Sequence, residues 1–176
     1  MKGWRSWIPL LLFAGFVALA GTMLLRPKDE FVESRMVGKQ LPYFALRPAF
    51  ADRPGVSSSD FRSGRPRLLN IFASWCLPCI AEAEQLEMLA AQGVQIDGIA
   101  IRDRPEDVAA FLARHGNPYR AIGADDLSEV QLALGSSGVP ETFVVDGQGR
   151  IAYQHIGDIR PEHVPMLLNK LEEAGS

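Results

Sequence analysis

The chain has 176 residues, of which 47% are hydrophobic and 22% charged, a composition that allows one globular domain with a single core. The formal net charge is −3. When Lys2 and Arg5 are left out, 16 basic residues stand against 21 acidic ones and form no basic cluster, which excludes nucleic acid as a partner.

An apolar run without a single charge occupies residues 6–25, directly after Lys2 and Arg5. A run of this length can cross a bilayer as a helix. The positive-inside rule then keeps residues 1–5 in the cytoplasm and exports everything after the run. The alternative is a cleaved signal peptide, because residues 18–21 have the small side chains of a processing site. The run continues beyond that site, which favours an uncleaved anchor. Under either interpretation the domain is exported.

Residues 26–37 are charged and mixed and are predicted to form a tether, and residues 38–176 to form the folded domain. Periodicity and turn signals predict the following elements, in order: an edge strand at 41–46, a strand at 68–72, a helix ending at 92, a strand at 94–101, a helix at 105–115, a short strand at 121–122, a short helix at 125–134, two strands at 141–145 and 150–155 joined by a hairpin turn, and a closing helix at 161–173. This order predicts an α/β domain with a mixed sheet flanked by helices.

The only two cysteines, Cys76 and Cys79, follow the predicted strand 68–72. Pro78 suits the first turn of a helix, because its missing N–H is not needed there. Residues three apart at a helix start can bring their Cα atoms to about 5.5 Å, the separation of a disulfide. The helix N-terminus favours a thiolate on Cys76. Cys76 is therefore predicted to be the nucleophile of a redox pair, and Cys79 the thiol that resolves a mixed disulfide.

Two other interpretations of the cysteine pair are weaker. The pair could be half of a zinc site, but the three histidines stand at no ligand spacing: His115, His155 and His163. A purely structural disulfide would close a very small loop and constrain little of the unfolded chain. No metal or other cofactor is expected, and His115 and His155 are assigned to packing or to the surface.

Three segments carry a resemblance to a known family. They are NIFASWCLPC at residues 70–79, GNPY at 116–119 and GVPETF at 138–143. With the apolar N-terminal run, they closely resemble the CcmG/DsbE type of the thioredoxin superfamily, the periplasmic thiol:disulfide interchange proteins of cytochrome c maturation. The resemblance covers residues 36–171. It implies a thioredoxin-like fold behind an N-terminal transmembrane helix, on the periplasmic side of a bacterial inner membrane.

The resemblance also implies roles for three residues near the dithiol. Family members carry a cis-proline facing the two cysteines, which here is Pro140. The backbone of Val139 would pair with an extended segment of the client protein, as in strand addition. Trp75 would flank the dithiol and shape the docking surface, a role that does not exclude ordinary aromatic packing.

Two acidic residues are candidate modulators of the site. Glu82 lies three residues after Cys79 on the inward flank of the helix, where a carboxylate could raise the pKa of a thiol or accept its proton. Glu141 follows Pro140 and could make the site acidic. For both residues the alternative is a solvated carboxylate. Asn70 stands where thioredoxins carry a buried aspartate, so the proton acceptor for Cys79 is not supplied at that position.

The direction of electron flow is predicted from the two residues between the cysteines. Leu77 and Pro78 offer neither a charge nor a side-chain donor, which favours a less stabilised thiolate and a more reducing potential. The resemblance likewise implies a reductant, which acts on the CxxCH disulfide of apocytochrome c or on a partner thioreductase. A membrane reductant of the DsbD/CcdA kind would supply its electrons. Two alternatives stay open: a copper-binding assembly chaperone, against which the CxxC spacing counts, and a general disulfide oxidase or isomerase.

Overall fold

The computed structural model describes residues 7–24 and 36–176. The chain divides into two compact units, Met1–Glu33 and Ser34–Ser176. In the first unit, helix α1 spans Ile8–Leu24. No helix in the described ranges combines the length and the apolar character that a membrane crossing requires.

Some predictions for the N-terminal part fall beyond what the structure describes. The predicted cytoplasmic residues 1–5 lie outside the described residues, and so do all but the last two residues of the predicted tether, 26–37. The division between the two compact units falls within that predicted tether.

The second unit is built on a five-stranded sheet. Its elements are β1 (Arg67–Phe72), α2 (Leu77–Ala91), β2 (Ile96–Ile101), α3 (Pro105–His115), β3 (Ala121–Asp125), α4 (Glu129–Ala133), β4 (Glu141–Val145), β5 (Ile151–Ile156) and α5 (Val164–Gly175). The strand order is β3-β2-β1-β4-β5, with the first three strands parallel, β4 antiparallel to β1, and β5 antiparallel to β4. The predicted α/β domain with a mixed sheet is confirmed.

The central strands are buried along their whole length. Every residue of β1, β2, β3 and β4 is buried, whereas the edge strand β5 is partly exposed. Strands covered on both faces have apolar sequences, which is why β1, the strand before the cysteines, was recognisable as an apolar run. Asn70 is the polar residue in the middle of β1, and a buried amide needs hydrogen-bond partners.

Helices α2 and α3 cover the face of the sheet to which Asn70 and Phe72 point. Asn70 donates a hydrogen bond to Glu82 of α2, and the ring of Phe72 stacks on Phe111 of α3 with 5.9 Å between centroids. Residues 42–46 and α4 line a common cleft elsewhere on the domain. The last helix, α5, contacts β4 and β5. The helices that follow the sheet strands in sequence thus enclose the core.

The predicted edge strand at residues 41–46 is wrong. This segment makes only an isolated bridge, between Ala45 and Ser57, and does not join the sheet. Pro42 has no backbone N–H to donate to a ladder, and the backbone N–H groups of Leu41 and Leu46 donate to the loop residues Gly149 and Val56 instead of to a sheet strand.

The predicted helix at residues 125–134 is shorter than expected. Asp125 is the last residue of β3, and α4 spans only Glu129–Ala133. Asp125 therefore lies before the helix, and its carboxylate accepts a hydrogen bond from the backbone N–H of Gln131 at 2.9 Å, which stabilises the first turn of α4.

Candidate active site

Three segments meet at one edge of the sheet. The parallel strands β1 and β2 end there, and they lead into residues 73–76 and into residues 102–104. Strand β4 runs antiparallel to β1, with Glu141 opposite Ile71, so the chain enters β4 at this same edge. The pairing register therefore brings Pro140, which precedes β4, to the edge from which the dithiol loop departs.

The two cysteines form a disulfide at the start of α2. Their Cα atoms lie 5.3 Å apart, and Cys76 is the N-cap residue of the helix. The backbone N–H of Cys79 donates to Sγ of Cys76 at 3.2 Å, and Pro78 lies in the first helical turn. Both cysteines are buried. When the bond is reduced, the same N–H and the positive end of the helix favour a thiolate at Cys76.

Large apolar side chains are exposed beside this buried disulfide. Trp75 is 56% exposed and Leu77 is 76% exposed. Nε1 of Trp75 donates to the backbone oxygen of Arg102 at 3.3 Å, which fixes the orientation of the indole ring. Exposed apolar side chains grouped around a reactive bond are typical of a surface that binds another protein.

The segment before β4 presents free backbone groups at the same edge. The Val139–Pro140 peptide bond is cis. Pro140 is buried, and its carbonyl oxygen accepts a hydrogen bond from the N–H of Gly157 at 3.0 Å. Within the part of the chain that the structure describes, the half-buried Val139 has no backbone hydrogen-bond partner. Its N–H and C=O are therefore free to pair with an extended peptide segment.

A buried hydrogen-bond network lies beneath the dithiol, with Asn70 at its centre. Nδ2 of Asn70 donates to Oε1 of Glu82 at 2.9 Å and to Oγ1 of Thr142 at 3.0 Å. Oδ1 of Asn70 accepts from the hydroxyl of Tyr119 at 2.7 Å. The other oxygen of Glu82 accepts from the backbone N–H of Ile159 at 3.0 Å. Glu82 is fully buried, so the alternative of a solvated carboxylate is wrong for this residue.

The environment of Glu82 changes its acidity. Burial raises the pKa of Glu82 to about 7, the hydrogen bonds from Ile159 and Asn70 oppose this rise, and the negative charge of Asp158 adds to it. Cys79 lies one helical turn before Glu82, and residues three apart on a helix have Cβ atoms about 5–6 Å apart. A carboxylate at that distance, with a pKa near neutrality, can accept a thiol proton directly or through one water molecule.

Tyr119, the last residue of the GNPY segment, also belongs to the network, a role that the sequence analysis did not assign to it. Its ring stacks on Phe72 with 4.8 Å between centroids. Burial raises the pKa of Tyr119 well above its ordinary value, and neighbouring carboxylates raise it further, so the phenol stays protonated and donates to Asn70. Gly98 makes room for this stack, because a Cβ there would lie 3.0 Å from both rings. A polar residue inside the buried strand β1 was the signal in the sequence that such a partner must exist.

Glu141 is placed differently from Glu82. It too is buried, so a solvated carboxylate is wrong here as well. Its neighbour in β4, Thr142, points to the same side as Asn70, and successive strand residues point to opposite faces, so Glu141 lies on the other face of the sheet. Its oxygens accept hydrogen bonds from the N–H and hydroxyl of Ser137 and from the side chain of Gln154. Glu141 thus supports the loop that precedes the cis-proline, and the structure does not bring it together with Glu82.

Asp103 ties the dithiol loop to the end of β2, a role that the sequence analysis missed. Its carboxylate accepts hydrogen bonds from the backbone N–H of Ser74 at 2.6 Å and from the hydroxyl of Ser74 at 2.7 Å. The signal was present in the sequence, because a carboxylate directly after a strand parallel to β1 lies at the edge where the cysteines must be.

Comparisons with known proteins agree with this geometry. Residues 36–171 match the Redoxin family model. The chain is 38% identical to the thiol:disulfide interchange protein HelX of Rhodobacter capsulatus, over 93% of either chain. It is also 38% identical to the thiol:disulfide interchange protein DsbE of Pasteurella multocida, over 96% of this chain and 97% of the relative.

Among solved structures, the chain is similar to a protein of Chlorobium tepidum described as a thiol:disulfide interchange protein DsbE. The TM-score is 0.65 at 26% identity, and the match covers 80% of this chain and 98% of the other.

Proposed function

This chain belongs to the redoxin family and to its DsbE type of thiol:disulfide interchange proteins, and on that premise we propose that it is a membrane-anchored reductant of cytochrome c biogenesis. It is a thiol:disulfide oxidoreductase. The proposed client is the CxxCH disulfide of apocytochrome c, or a disulfide of a partner thioreductase, on the periplasmic side of the inner membrane. A membrane reductant of the DsbD/CcdA kind is the proposed electron donor. The observation that carries the proposal is the buried Cys76–Cys79 disulfide at a helix N-terminus, beside the exposed side chains of Trp75 and Leu77.

The reaction begins with the reduced protein and proceeds through a mixed disulfide. The thiolate of Cys76 attacks one sulfur of the client disulfide, and the other client sulfur leaves as a thiolate that takes up a proton. Cys79 then gives its proton to Glu82 and attacks Sγ of Cys76. The second client thiol leaves, the client has gained two electrons, and the protein is left with its own disulfide.

Two observations support reduction as the direction of electron flow. The residues between the cysteines, Leu77 and Pro78, provide no side-chain donor to a thiolate. In the described part of the chain, the one hydrogen bond to Sγ of Cys76 comes from the backbone of Cys79. A thiolate with so few donors is less stabilised in the reduced protein, and the disulfide is correspondingly harder to reduce.

Equilibration with glutathione redox buffers tests the direction. We expect a reduction potential closer to the roughly −270 mV of thioredoxin than to the roughly −120 mV of a strong periplasmic oxidant. We also expect the reduced protein to open the disulfide of an oxidised CxxCH peptide. A potential near that of the strong oxidants, together with net oxidation of the dithiol peptide, would identify a general disulfide oxidase instead.

The proposed anchor is the uncharged run at residues 6–25, supported by the positive charges of Lys2 and Arg5 before it. Alkaline phosphatase fused after residue 40 is expected to be active and to stay in the membrane fraction on carbonate extraction. An active fusion recovered in the soluble fraction, with a shortened N-terminus, would show the alternative of a cleaved signal peptide.

A further inference from the structure

A polar cleft opens directly beside the dithiol. It has a volume of about 430 Å³ and lies between Trp75 and three arginines, Arg102, Arg104 and Arg114. This volume falls within the roughly 300–1,000 Å³ of typical ligand sites. Ser74 and Trp75, which directly precede the nucleophile Cys76, line the cleft, so it adjoins the dithiol loop.

The acidic residues of the cleft are already used within the protein. Both oxygens of Asp103 accept hydrogen bonds from Ser74. Asp107 accepts a hydrogen bond from Nε of Arg104 at 2.7 Å, so the charge of Arg104 is paired within the protein. No carboxylate of the described residues lies within 4.0 Å of the guanidinium groups of Arg102 or Arg114. Among the described residues, Arg102 and Arg114 therefore lack an ion-pair partner, and the three arginines of the cleft outnumber its two aspartates, Asp103 and Asp107.

The backbone of Arg102 is held in a conformation that is uncommon for its residue type. Its φ is 45°, in the left-handed region that favours glycine. Two hydrogen bonds maintain it: the N–H of Arg102 donates to the oxygen of Asp125 at 3.1 Å, and its own oxygen accepts from Trp75 at 3.3 Å. Backbone strain of this kind is concentrated at functional sites. Here the strained residue is an arginine that lines the cleft, and its backbone oxygen is hydrogen-bonded to Trp75 beside the dithiol.

We propose that this cleft is a subsite for a carboxylate of the client polypeptide, an aspartate or glutamate side chain close to the client's reacting cysteine. The inference rests on the proposed function of the dithiol as a reductant of protein disulfides. Guanidinium groups bind carboxylates through paired N–H donors. In a protein with a net charge of −3, a cleft with uncompensated positive charge selects acidic client segments and speeds their encounter with the dithiol.

Matched peptides test the subsite. Two oxidised CxxC peptides are compared, one with glutamates and one with glutamines on both sides of the cysteines, and the rate constant for their reduction is followed by tryptophan fluorescence. We expect the acidic peptide to react about five- to tenfold faster at low salt, and the advantage to shrink at high salt. In the double variant Arg102→Gln, Arg114→Gln, the two rates are expected to agree within about twofold.

Two further variants make the result specific. Arg65→Gln removes one positive charge at a separate surface cleft, beside Gln92, and is expected to leave the preference for the acidic peptide intact. Arg114→Glu is expected to reverse the preference, so that a lysine-flanked peptide reacts faster than the glutamate-flanked one. A damaged fold lowers both rates and cannot reverse their order, so a reversal distinguishes a change in charge preference from a general loss of activity.

The possible outcomes separate this inference from the proposed function. If the wild-type protein reduces both peptides at equal rates, the subsite is refuted while the reductant function stands. If Arg65→Gln abolishes the preference as completely as the double variant, the effect is due to net charge and the subsite is again refuted. If neither peptide is reduced, the proposed function itself fails.

Discussion

Replacing Cys79 with alanine is expected to turn the protein into a covalent trap for its client. Cys76 keeps its place at the N-terminus of α2 and still attacks the client disulfide, but no second thiol is left to release the product. We expect steady-state turnover to fall by about a thousandfold or more, while a mixed disulfide with the client accumulates. Non-reducing electrophoresis of detergent-solubilised membranes, followed by identification of the bound protein, measures this directly.

The matched control is the double variant in which Cys76 is also alanine. The adduct is expected to disappear, because Cys76 supplies the sulfur that joins the client. The double variant has no cysteine left, so any adduct that persists in it is not a mixed disulfide of this protein. An adduct formed by Cys76→Ala alone would assign the attacking sulfur to Cys79.

Replacing Glu82 with glutamine is expected to change how stability depends on pH. The pKa of Glu82 is raised from 4.5 to about 7 by burial. Below pH 4.5 the carboxyl is protonated in both the folded and the unfolded chain. Between pH 4.5 and about 7 the unfolded chain loses this proton while the folded protein keeps it, so the stability of the folded state falls as the pH rises. Above about pH 7 the loss is complete, and it amounts to roughly 3 kcal/mol.

Glutamine carries no charge and removes this dependence on pH. The side chain has one oxygen for the two donors Asn70 and Ile159, so the variant also loses one buried hydrogen bond, at a cost of about 1–3 kcal/mol at every pH. As the pH rises from 4.5 to 8, the free energy of unfolding of the variant is therefore expected to increase by roughly 3 kcal/mol relative to that of the wild type. Urea unfolding at a series of pH values measures the difference, and parallel curves would contradict the raised pKa.

The same substitution is expected to slow the release of the client. Without the carboxylate, Cys79 has no buried proton acceptor one helical turn away, and resolution of the mixed disulfide at neutral pH should fall by about a hundredfold. The increase in rate with pH that is centred near 7 in the wild type should be absent. Glu84→Gln serves as the control, since it removes an exposed carboxylate from the same helix. If both variants show the wild-type pH profile, Glu82 does not accept the proton.

Local patterns in the sequence predicted much of the domain. An apolar run, a proline in the first helical turn and two cysteines three positions apart gave β1, the start of α2 and the disulfide. The hairpin strands and helix α3 were also predicted nearly to the residue. These features depend on neighbours within a few positions of one another, which is the range over which backbone propensity and periodicity act.

Features that depend on distant parts of the chain were missed or stayed ambiguous. The segment at residues 41–46 has the composition of a strand, but whether it pairs depends on a vacant sheet edge elsewhere. Glu82 could equally be solvated or buried until Ile159 and Asn70 were seen to enclose it. Glu141, adjacent to the cis-proline in sequence, lies on the other face of the sheet from Asn70.

The sequence alone therefore determined the chemistry, a redox-active cysteine pair at the start of a helix, because both sulfurs and the helix that orients them lie within a few residues. The tertiary structure decided how that pair is tuned. It joined Asn70 of β1, Glu82 of α2 and Tyr119 of the connection between α3 and β3 into one buried network, and it placed Arg102 beside Trp75. Acidity and electrostatic selectivity depend on burial and on distances between side chains, and only the folded chain sets those quantities.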